Sequence, residues 1–87
     1  MSTVKDLIVY QKGFKNARNI FHVTKKYPTD EKFRLTSQIR RSSRSVCSNL
    51  AEAYRKRRYP AHFIAKISDA DMESCETQTW LDFSLAC

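Results

Sequence analysis

Leu35-Thr36-Ser37-Gln38-Ile39-Arg40-Arg41-Ser42-Ser43-Arg44-Ser45-Val46-Cys47-Ser48-Asn49-Leu50-Ala51-Glu52-Ala53-Tyr54 has the pattern of a helix with two unlike faces. At about 100° per residue, Leu35, Ile39, Val46, Leu50 and Ala53 fall within a sector of about 60°. Arg34, Arg40, Arg41, Arg44 and Arg55 fall on roughly the opposite half of the same wheel. Such a segment turns its apolar stripe to a core and its arginines outward. Ser42, Ser43, Ser45 and Ser48 keep the middle of the helix slim. That slimness suits close helix packing, the role expected of Ser42 and Ser43, or supplies hydroxyl donors to phosphate.

Upstream of this helix, Thr29 and Asp30 are expected as its N-cap, with Glu31 at the positive end of its dipole. Further back, Leu7, Tyr10, Phe14, Ala17, Phe21 and Thr24 recur at the three-and-four spacing of one helical face, and Pro28 closes that first helix. Lys12, Lys15 and Lys26 read as its solvated side. Gly13, the sole glycine, costs about 1 kcal/mol relative to alanine inside a helix and marks a candidate close contact with a neighbouring backbone. Downstream, Phe63, Ile67, Ala70, Ser74, Leu81 and Leu85 outline one face of a third helix, flanked by Asp69, Asp71, Glu73, Glu76 and Asp82. Those carboxylates read as a solvated or ion-paired face. A second apolar set, Trp80, Phe83 and Cys87, lies on another side, so this end of the helix calls for cover from a further helix or another subunit. The expected organisation is one helical-bundle domain over residues 1–87, with helices at about 6–27, 30–57 and 61–87.

Composition narrows the function. With 87 residues and one glycine, the chain has no Gly-rich phosphate loop and no dinucleotide fingerprint. No stretch approaches the roughly 20 apolar residues of a membrane span, and no signal-peptide segment opens the chain, so a cytoplasmic protein without membrane partners is expected. Cys47, Cys75 and Cys87 form no C-x-x-C pair and read as buried free thiols, while His22 and His62 stand alone. No metal, no cofactor and no catalytic residues are therefore expected.

The net charge of +7 is strongly polarised. Residues 1–30 carry six basic and two acidic groups, residues 31–60 nine and two, and residues 61–87 one and five. The run Arg55-Lys56-Arg57-Arg58 ends the second helix, where cations complement the helix dipole. Four adjacent cations that continue an arginine face also make a positive strip suited to a polyanion. Tyr54 and Tyr59 flank the run as packing anchors or as platforms for unpaired bases.

The segments Leu35 to Ser42 and Ser45 to Tyr54, together with Asp6-Leu7-Ile8-Val9-Tyr10-Gln11-Lys12 and Glu73 to Phe83, resemble the 23S rRNA intervening-sequence proteins, also called four-helix-bundle proteins. The resemblance runs in order along nearly the whole chain. It implies an all-α, antiparallel up-and-down bundle, and a ring-like homopentamer with a basic surface. It also implies a non-enzymatic role in bacteria, where members are encoded within insertions in 23S rRNA genes or elsewhere. The related accessory variability protein of diversity-generating retroelements binds nucleic acid and a reverse transcriptase, so a protein partner of that kind belongs to the expectation. Only Arg40 and Arg41 map onto a suggested family binding surface. The chain departs from the family at Cys47, where proline is common, and at Ala53, where glycine is common. It also ends near the point where a fourth helix should follow, which reads as a C-terminally incomplete bundle.

Two functions follow as expectations. In the first, Arg34, Arg40, Arg41, Arg44, Arg55, Lys56, Arg57 and Arg58 contact RNA or DNA phosphates with little base preference, and Trp80, Phe83 and Cys87 form an oligomer or missing-helix interface. In the second, the basic strip docks an acidic partner protein or the acidic third helix of a neighbouring subunit.

Overall fold

The structure, a computed structural model, describes residues 3–86, and within these every side chain except those of residues 31–33. Cys87 and the side chain of Glu31 thus lie outside the described residues. The described chain is helical throughout: α1 spans Ile8–Thr24, α2 Ser37–Arg55 and α3 Pro60–Ala86. A 3-10 turn at Val4–Asp6 precedes α1, with the Thr3 backbone N–H donating to Asp6 Oδ2 at 2.9 Å. Between α1 and α2 the chain makes a 3-10 turn at Thr29–Glu31 and a π turn at Lys32–Thr36.

These bounds differ from the expected ones at the helix ends. α1 stops at Thr24, before Pro28, because its last turn tightens: Lys26 and Tyr27 N–H bond three residues back, to Val23 and Thr24. Thr29 and Asp30 stand inside a 3-10 turn instead of capping α2, which grows out of the π turn with Thr36 already in helical backbone geometry.

Contacts run antiparallel. Along α2 and α3, Arg41 meets Glu76, Ser42 meets Thr77, and further up α2 Glu52 meets Lys66, further down α3. Along α1 and α2, Gly13 faces Val46, Cys47 and Leu50, whereas the later Thr24 meets the earlier Arg40. α2 is the central element, packed on both neighbours. It contributes Ile39, Ser42, Ser43, Cys47, Leu50 and Ala53 to the interior. Ile20, Leu35 and Ala70 complete the apolar core, and the whole measures 44 × 24 × 17 Å. Its length matches a 27-residue helix at about 1.5 Å per residue.

The flanking helices keep part of their expected faces: Tyr10, Ala17, Phe21 and Thr24 of α1 and Phe63, Ala70 and Leu81 of α3 are covered. On α1 Gly13 and Ile20 join these covered positions, while Phe14 stays 54% exposed. On α3 the polar Lys66, Glu73, Glu76, Thr77 and Ser84, with Trp80, join Phe63, Ala70 and Leu81 among the covered positions. Ile67, Ser74 and Leu85, expected inside, are exposed, Leu85 to 89%. The physical reason is size: Gly13, Ala17, Ala70 and Thr77 let helix axes approach closely where larger apolar side chains would hold them apart. Gly13 itself meets side chains rather than the expected neighbouring backbone. A methyl added there would stand 3.4 Å from Cys47 Sγ and 3.7 Å from Val46 Cγ1, in ordinary contact.

Candidate functional site

The outward face of α2 begins at Thr36, where the π turn passes into regular helix. The steps from there place Thr36, Ser37, Arg40, Arg41, Arg44, Ser45 and Ser48 around one depression of about 580 Å³. No carboxylate lines it. Thr36 is buried at its floor, and its hydroxyl has no hydrogen-bond partner among the described residues. Three guanidinium groups and hydroxyls around an open hollow form a donor-rich surface, free of carboxylates, of the kind that takes phosphate oxygens.

The arginines expected as one solvated row divide by role. Arg40 is half-buried and turned onto α1: its Nε donates to Thr24 Oγ1 at 2.8 Å and its Nη2 to the Phe21 carbonyl oxygen at 3.4 Å. Its guanidinium also lies 4.6 Å from the centre of the Phe21 ring. It therefore satisfies a carbonyl in the last turn of α1 and complements the negative end of that dipole. Arg41 leans the other way, with Nη2 donating to Glu76 Oε1 at 2.5 Å and Nη1 3.7 Å from Glu73 Oε1. Arg44 stands 5.5 Å from the Phe21 ring centre and remains exposed, as does Arg34.

Arg55, Lys56, Arg57 and Arg58 are all exposed at the far end of α2. Arg57 folds back, its Nη1 donating to the Tyr54 carbonyl oxygen at 2.9 Å with the guanidinium 4.1 Å from the Tyr54 ring. Tyr54 is thereby occupied as a stacking partner within the chain, and Tyr59 lies edge-on to His62 at 6.3 Å.

The second expected interface is only partly open. Trp80 is half-buried and its Nε1 donates to Glu76 Oε1 at 3.3 Å, the same oxygen that accepts from Arg41. Phe83 is 52% exposed, its ring tilted against Trp80 at 6.0 Å. The two rings thus form one pair, with Trp80 drawn toward α2 and Phe83 outside. Cys87, the third member, falls outside the described residues.

Acid and base, segregated in sequence, meet in space where Arg41 of α2 pairs with Glu73 and Glu76 of α3. α1 contains no carboxylate, and the one in α2, Glu52, is paired with Lys66 Nζ at 2.6 Å. The Glu52 hydrogen bond and charge push the Lys66 pKa up. Of the cysteines, Cys47 is buried and desolvation pushes its thiol up, while Cys75 is exposed, contrary to the expected burial. Among the described residues no cluster of His, Cys, Asp and Glu is placed to hold a metal ion, and no helix is long and apolar enough to cross a membrane.

The periodicity of α1 did not reveal the cleft beside this face. Tyr10, Phe14 and Phe21, assigned to the core, line a groove of about 420 Å³ between α1 and α2, with Arg18 and Arg44 at its rim. The available signal was Arg18, one turn beyond Phe14 and on the same side.

Comparison with known proteins places this arrangement in a context. The family described as 23S rRNA-intervening sequence protein matches residues 5–87. No curated protein and no solved structure gives a match.

Proposed function

The chain belongs to the 23S rRNA-intervening sequence protein family, and from that premise we propose that it is a non-enzymatic, cytoplasmic protein that binds RNA or DNA phosphates through the outward face of α2. The observation that carries this reading is the hollow lined by Arg40, Arg41, Arg44 and four hydroxyl residues without a carboxylate. Arg44 of the hollow and the exposed Arg34 and Arg55 to Arg58 contact phosphate directly, while Arg40 and Arg41, bonded to α1 and α3, add their charge to the hollow. Such contacts carry little base preference. Repetition of the face around a homo-oligomer, a pentamer by family resemblance, multiplies affinity without new chemistry.

The test is fluorescence anisotropy with a labelled structured RNA across a salt series. Wild type is expected to give a slope of log affinity against log salt equal to several released counterions. Replacing Arg34, Arg44 and Arg58 together by alanine lowers that slope by about one per arginine. Failure of the folded protein to bind at low salt, or an unchanged slope in the variant, overturns the reading.

A second reading is supported by Arg41, whose pairing with Glu73 and Glu76 is an example of the α2 face meeting acidic groups of α3. In it, the basic face docks an acidic partner protein, such as a reverse transcriptase, or a neighbouring subunit. Native mass spectrometry of the triple variant separates the two: loss of the oligomer favours docking, and a retained oligomer with lost RNA binding favours phosphate contact.

A further inference from the structure

We propose that the groove between α1 and α2 seats one unpaired base of a nucleic-acid strand whose phosphate lies against Arg44. This rests on the phosphate-binding reading of α2 and adds the class of strand: single-stranded or bulged, not a closed duplex.

Four observations converge. First, the groove and the arginine-lined hollow are contiguous, because Arg44 and Ser48 line both. A surface that places an anion subsite and an aromatic subsite on either side of one arginine has the layout of a single nucleotide, with phosphate on one side and base on the other. Second, the walls are aromatic and accessible. Phe14 is 54% exposed, and Tyr10 leans against it with ring centres 6.2 Å apart and planes inclined at 33°. Stacking on such rings is sequence-tolerant, since every base has a π face.

Third, the rim is cationic and held in place. Arg18 and Arg44 line the groove, and Arg44 stands over the Phe21 ring at 5.5 Å. A guanidinium near an aromatic ring is attracted to it while its N–H groups can still reach a phosphate. Fourth, the carboxylates in contact with α2 are engaged, Glu73 and Glu76 by Arg41 and Glu52 by Lys66, and α1 has none. In a closed duplex the bases are stacked away from the protein and these rings would meet only backbone, whereas an unpaired base can turn out and stack.

The experiment compares a labelled short oligo-dT strand, an abasic strand of equal length and a duplex, all at one ionic strength, by anisotropy. The expected result is about tenfold tighter binding of oligo-dT than of the abasic strand. Phe14→Ala removes that difference, Phe14→Trp keeps it, and neither changes the salt slope. Equal binding of oligo-dT and abasic strands by wild type overturns the base seat while leaving phosphate contact standing. No binding of either overturns both. A Phe14→Ala protein whose native mass falls below that of wild type overturns the seat as well, because the groove is then a contact between copies.

Discussion

The two seams of α2 are built from different materials. Against α1 it packs Cys47 and Leu50 near Gly13 and Ile20, with Arg40 and Phe21 stacked at one end. Against α3 the interior contacts are largely polar: Thr77 Oγ1 donates to Ser42 Oγ at 2.8 Å, Ser42 Oγ donates on to the Ile39 carbonyl oxygen at 3.3 Å, and Arg41 and Glu52 pair across the margins. α3 buries only Ala70 and Thr77 among its described residues, yet it is the longest helix. An apolar seam is tolerant of sliding, whereas a buried hydroxyl pair is satisfied at one register alone. Both seams thus carry a polar contact that fixes register, Arg40 to the buried Thr24 on the α1 side and Thr77 to Ser42 on the α3 side, but only in the second do two buried side chains bond each other.

That contrast can be broken from its centre. Ile39 is fully buried in α2, and Ile39→Ala is expected to cost about 2 to 5 kcal/mol through lost transfer energy and the cavity left behind. Chemical denaturation monitored by helical circular dichroism measures it; a loss below about 1 kcal/mol would mean that Ile39 is not central to the core. The hydroxyl pair in the α3 seam is expected to count for less. Thr77→Val keeps the shape and removes the hydroxyl, at an expected cost of about 1 kcal/mol, since Ser42 retains its bond to Ile39. The same denaturation series checks it, and a neutral result would mean that register is set elsewhere. The smallest effect has the opposite sign. Gly13→Ala places a methyl in ordinary contact with Cys47 and Val46 and is expected to raise stability by about 0.5 to 1 kcal/mol. Destabilisation instead would show that the α1 seam is tighter than its geometry indicates.

The seams also explain how the arginines divide. Arg40 and Arg41 are adjacent in sequence, about 100° apart on the helix, and each reaches a different neighbour. Substituting both would disturb packing as well as charge. Arg34, Arg44 and Arg58 are the cleaner probes of ligand binding.

Much of this was legible in the sequence. The all-α class, the two-faced α2, the buried Ser42 and Ser43 and the charge polarity follow from periodicity and residue size, which act locally. The seam of α3 was legible only at Phe63, Ala70 and Leu81, because Lys66, Glu73, Thr77 and Ser84 are polar and a search for apolar spacing passes over them. For the same reason Ile67 and Leu85 were placed inside when they are outside. Along α1, Phe14 outweighed Gly13 and Ile20 in the pattern, although a residue as small as Gly13 decides how closely two helices meet.

The sequence by itself determined three helices, the identity of the central one, and a basic region followed by an acidic one. Tertiary structure alone decided the rotation of α1 and α3 about their axes, and with it the division of the arginines and the opening of the aromatic groove. Hydrophobic periodicity records which residues leave water, but rotation about a helix axis is set by the fit of side chains on facing helices, and that fit exists only once both surfaces are in place.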